Sequence, residues 1–89
     1  MKRGKIINER WAVCTMNDKI MVAEYDDGAT EIEFEYHMIN DRQCQYINNC
    51  NKDRNGNYYT TSKIITLSDI GLQNWKKDVE LYNRRSENL

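Results

Sequence analysis

The chain has 89 residues and a mass of 10.6 kDa. That is one domain by the usual ~100–200 residues per domain, and it excludes barrel enzymes and dinucleotide-binding folds. Thirteen basic and 14 acidic side chains give a formal net charge of −1 and a pI of about 5.8, so the chain as a whole lacks the basic footprint of a nucleic-acid binder. Leu, Ile, Val and Phe total only 17 of 89 residues, but six Tyr, four Met, two Trp and a near-zero net charge argue for a folded domain with a small core.

The basic start Met1-Lys2-Arg3-Gly4-Lys5 is followed by no apolar signal core. No run approaches the ~18 apolar residues of a membrane span. No Asn-x-Ser/Thr sequon occurs. Three cysteines, Cys14, Cys44 and Cys50, are an odd number for a disulfide framework, so a reducing, cytoplasmic location is expected. Eleven Asn, no Pro and nine Ile against four Leu are a bias that accompanies AT-rich genomes, those of phages and mobile elements among them.

The whole chain, 1–89, reads as a single domain, with residues 1–5 expected to fray. Alternation predicts three strands within residues 11–38. Ile32, Phe34, Tyr36 and Met38 fall on one side of the last, and Glu31, Glu33, Glu35 and His37 on the other. Asp26-Asp27-Gly28 reads as a three-residue loop with Gly28 in the left-handed position. In that register Val22 faces Ile32, Ile20 faces Phe34 and Lys19 faces Glu35. A turn at Asn17-Asp18 then sets Val13 against Val22 and Thr15 against Ile20.

Residues 43–48 and 58–65 read as two more strands, joined by a polar loop over residues 49–57 with an Asn55-Gly56 turn signal. A helix follows, capped from Thr66 through Asp69 or by Ser68, with Leu72, Trp75, Val79 and Tyr82 as its apolar stripe. Residues 84–89 are expected to fray. The expected fold is α+β, a small antiparallel sheet of about five strands, beginning as a three-stranded meander, with one C-terminal helix on one face. Its expected core is Trp11, Val13, Ile20, Val22, Ile32, Phe34, Tyr36, Ile64, Leu72, Trp75 and Val79.

Catalytic and metal motifs are absent. The spacing Cys44-x5-Cys50 is too wide for a zinc pair, and the single histidine, His37, lies among carboxylates, so no metal, cofactor or enzymatic activity is expected. Asp53-x-Asn55-x-Asn57 begins like a calcium loop, but the next position is Tyr58 where glycine is needed.

The informative feature is the charge map. Residues 1–23 carry five bases and two acids, while residues 24–35 carry Glu24, Asp26, Asp27, Glu31, Glu33 and Glu35 and no base. Strand exteriors are often charged, and a solvated face is the plain explanation. Met21 and Tyr25 are expected beside these acids, and a mixed acidic and apolar surface suits a partner interface.

The expected function is that of a small non-enzymatic binding protein. It would be a phage or mobile-element accessory protein that inhibits a host nucleic-acid-binding or defence protein. Its acidic hairpin, with Met21 and Tyr25 as anchors, would dock on a larger protein with a basic surface, with no membrane involved. One alternative is a nucleic-acid-binding regulator using the basic N-terminus and Lys52, Arg54, Tyr58 and Tyr59, with stacking on the tyrosines. Another is a structural subunit or homodimer.

Overall fold

Each connection in the chain is a tight turn made by residues suited to it. Thr15 Oγ1 accepts from the backbone N–H groups of Asn17 and Asp18 and closes the first turn. Asp27 Oδ1 accepts from Ala29 N, and Gly28 sits at φ 88° in the three-residue loop expected for it. Asn40 Oδ1 accepts from Arg42 N and Gln43 N, while Asp53 Oδ1 accepts from Asn55 N and Asn57 N ahead of Gly56 at φ 81°. These turns join β1 (Ile6–Cys14), β2 (Asp18–Tyr25), β3 (Thr30–Met38), β4 (Gln43–Lys52) and β5 (Tyr58–Thr66) into one antiparallel sheet in chain order, followed by α1 (Asp69–Glu87). The structure, a computed structural model, describes residues 4–87.

Ser68 caps the helix, its Oγ accepting from Gly71 N at 3.1 Å. Arg42 pins this end to the β3–β4 turn, with Nη1 2.8 Å from Asp69 Oδ1. The helix returns across one side of the sheet to β1, and the predicted stripe does face it. Trp75 Nε1 donates to Thr15 O at 2.8 Å, and Tyr82 Oη donates to Ala12 O at 3.2 Å.

Three bulges decide which residues face the helix. Met21 pairs with Phe34 but Val22 pairs with Ile32, leaving Glu33 as the extra residue in β3. In β1 the extra residues are Ile7 and Ala12. The Val22–Ile32 pair is as expected, but beyond the bulge Ile20 faces Glu35 and Lys19 faces Tyr36. Val13 pairs with Ile20 in place of Val22, because the first turn begins at Thr15.

The regular strand β2 therefore turns Lys19, Met21, Ala23 and Tyr25 toward the helix side, and Ile20 and Val22 toward the open side. Cys14, Trp11, Phe34, Tyr36, Cys44 and Tyr46 share the helix side by their pairings. Cys14, Val22, Ala23, Tyr25, Cys44, Trp75 and Lys19 are buried. Ile32 and Ile64, expected in the core, are 44% and 64% exposed on the open side, which no described element covers.

Two further expectations change. The polar stretch 49–52 belongs to β4, with an irregularity between Asn48 and Asn51, so the loop is only residues 53–57. Residues 84–87 are helical, and Lys5 is tied to Asp26 by Lys5 N to Oδ1 and Asp26 N to Lys5 O. Residues 1–3 and 88–89 lie outside the described residues.

Candidate functional site: an acidic end on the helix side

The six acids of the β2–β3 hairpin do not form one face. Glu24 projects to the open side, where Arg10 of β1 meets its Oε1 at 2.5 Å, and this hydrogen bond holds the Glu24 carboxyl below its ordinary range. Asp26 and Asp27 accept backbone hydrogen bonds in and beside the turn. Glu35 lies on the open side against His37.

Glu31 and Glu33 belong elsewhere. Glu31 pairs with Ala23, and Ala23 pairs with Glu9, so both acids stand on the helix side beyond the reach of α1. The bulge directs the Glu33 carboxyl to the same place, beside Glu9 and Cys50, whose Sγ lies 3.9 Å from Glu33 Oε2. Burial, followed by the Glu9 charge, raises the pKa of Glu33. Two ionised carboxylates cannot donate to one another, and Glu33 Oε1 is buried with no hydrogen-bond partner. A proton held on Glu33, whose pKa is raised, would relieve it. Below this group lie Ala23, 0% exposed, and Tyr25, 9% exposed.

Met21 and Tyr25 are therefore not free anchors on an outer face. Tyr25 is buried, and Met21 sits half-buried between Trp11 and Phe34. Glu9 is the member that charge counting along the hairpin passes over. Its place two residues before Trp11, on the same face of β1, is the signal that could have found it.

The open side holds a different group. His37 Nδ1 lies 2.8 Å from Asp18 Oδ1 and Nε2 lies 3.0 Å from Glu35 Oε1. Only the doubly protonated ring donates to both, and the Asp18 hydrogen bond, ahead of the Glu35 one, raises the His37 pKa. Protonation thus contributes stability in full below the ordinary value of about 6.5, and the contribution is lost as pH rises through the raised value. Urea midpoints are expected to fall between pH 5.5 and pH 8.5 by a step that His37→Gln removes. An identical step in His37→Gln would assign it to another group.

The four residues considered for nucleic acid are divided. Lys52 Nζ lies 5.0 Å above the Tyr58 ring, Arg54 is exposed in the turn, and Tyr59, next along β5, faces the opposite side from Tyr58. Among the described residues no group of three or more His, Cys, Asp or Glu is arranged to hold a metal. The three cysteines are free, and burial raises the pKa of each. No described helix is long and apolar enough to cross a membrane.

The helix and sheet also enclose an aromatic cage. Lys19, 7% exposed, places Nζ 4.6 Å from the Trp11 ring, 4.9 Å from Trp75 and 5.8 Å from Tyr36, with Asp78 Oδ2 at 2.6 Å. No family model matches the chain, and no match was found among curated proteins or solved structures.

Proposed function

We propose that the protein is a small non-enzymatic binding protein that docks on a basic surface of a larger protein through the acidic end of its helix side, occupying that surface as an accessory inhibitor would. The observation that carries this reading is the Glu9–Glu33 pair with its buried, unpartnered Oε1. A lysine or arginine from a partner, meeting the exposed Glu9 carboxylate, would relieve the like charges. Glu31 stands across Ala23 from Glu9, and the hairpin turn adds Asp26 and Asp27. Trp11 and Phe34, edge-on to each other at 6.0 Å, occupy the adjoining row and offer an apolar margin. The non-enzymatic part rests on chemistry: no thiol has a lowered pKa, and the histidine is held by two carboxylates on the open side, away from Cys14 and Cys44.

The test is an NMR titration of the chain with a short lysine- and arginine-rich peptide at low salt. Amide shifts are expected to centre on Glu9, Glu31 and Glu33 and to shrink as salt rises. The combined Glu9→Gln, Glu31→Gln, Glu33→Gln variant should stay folded and weaken binding about tenfold, since exposed carboxylates contribute ~0.2–1 kcal/mol each. Undiminished binding by this variant, or shifts confined to residues 52–58, would overturn the reading.

A further inference from the structure

The two edges of the sheet are built differently. On β1 the ladder is interrupted by bulges at Ile7 and Ala12, and Glu9 and Arg10 add charge. The helix covers the Ala12–Thr15 end of this edge, with Tyr82 and Trp75 bonding to the carbonyls of Ala12 and Thr15. These are the devices that keep an edge strand from pairing with another chain.

On β5 these devices are sparser: no described element covers its outer edge, and the one irregularity in its ladder adds the extra residue to β4. The strand Tyr58–Thr66 is nine residues long, and eight of the nine are exposed. It carries one charge, Lys63, no proline, and a run of Tyr, Thr and Ile suited to sheets. Its only described neighbour is β4, so the backbone groups along its outer edge have no strand partner among the described residues.

We propose that this edge pairs with the β5 of a second copy, antiparallel and centred on Ser62, to make one continuous ten-stranded sheet. The sequence of the strand fits itself in that register. All nine residues of each copy overlap, Tyr59 falls opposite Ile65 and Thr60 opposite Ile64, and these aromatic and β-branched pairs favour sheet association. Lys63 falls opposite Thr61, so the lysines do not face each other directly. The contact is isologous and uses up both β5 edges, and the β1 edges at the far ends are bulged, charged and partly covered by the helix, so pairing closes at two copies and does not run on as a fibre.

The experiment uses the full chain. Light scattering should give twice the 10.6 kDa chain mass at high concentration, falling on dilution. Ser62→Lys sets two lysines face to face on the axis and should give a folded monomer by circular dichroism. Directly opposed residues have Cβ atoms close enough for a disulfide. In a Cys50→Ser background, Ser62→Cys should therefore form a dimer under mild oxidation. Tyr58→Cys should not, because its own copy lies eight residues away along the strand, about 27 Å. The three acids lie on β1 and β3 and none on the outer edge of β5, so the Glu9, Glu31 and Glu33 triple variant should dimerise like the parent, whatever its peptide binding. A monomeric mass at every concentration, or Ser62→Cys crosslinking no faster than Tyr58→Cys, overturns the proposal.

Discussion

Trp75→Ala is expected to lower stability by about 3–5 kcal/mol, the range for removing a large aromatic ring from a packed site. A chain of this length has roughly 4–13 kcal/mol in total, so this one substitution removes a large part of the margin. Trp75 is 3% exposed and, among the described residues, the one buried side chain of α1. Its ring stands edge-on to Tyr36 at 6.0 Å, and its indole N–H holds the carbonyl of Thr15. Without it the helix keeps its cap at Ser68 but loses its central contact with the sheet. Urea unfolding followed by circular dichroism measures the loss. Trp75→Phe should retain most of the packing and cost about 1 kcal/mol for the missing hydrogen bond. Equal losses in the two variants would mean that the helix is held mainly elsewhere.

Asp78→Ala and Lys19→Met should differ sharply although they break the same ion pair. Removing the carboxylate leaves the Lys19 ammonium buried against three rings with no counter-ion. For a fully buried pair that costs about 3–5 kcal/mol. The Asp78 side chain is 38% exposed, so water can reach the site, and about 2–3 kcal/mol is expected. Methionine at position 19 fills the cage with an apolar chain of similar length and makes favourable sulfur–ring contacts, so Lys19→Met should be near neutral. The double variant should then recover most of the loss seen with Asp78→Ala alone. If Asp78→Ala were silent, the rings rather than the carboxylate would be stabilising the ammonium.

The antiparallel meander, the three-residue loop at Gly28, the second glycine turn at Gly56 and the helix stripe were legible from periodicity and turn chemistry. Facing was not. Strict alternation in Glu31-Ile32-Glu33-Phe34-Glu35 puts the three glutamates on one side, and only a bulge at Glu33 sends Phe34 to the opposite side from Ile32. Nothing in the local residues announces that bulge. It is favoured by what lies across the sheet, where Phe34 joins Trp11, Tyr36 and Tyr46 in one aromatic cluster. Lys19 was hidden for a related reason. A lysine reads as surface until two tryptophans, a tyrosine and an aspartate from separate elements meet around it. The acidic site was half legible. Counting along the hairpin found Glu31 and Glu33, but Glu9 joins them only through the pairing of β1 with β2.

Because the strand order follows the chain order, every strand pairing joins segments that are neighbours in sequence. Closing each hairpin costs the entropy of one short loop, so the sheet can grow from any turn outward without waiting for a distant segment. The same geometry governs how it comes apart. In a single copy, strands β2, β3 and β4 are held from both flanks, β1 is clamped by the helix at its Ala12 end, and β5 is held from one flank only. Opening therefore begins at β5 and proceeds inward one strand at a time, so local stability is graded across the sheet.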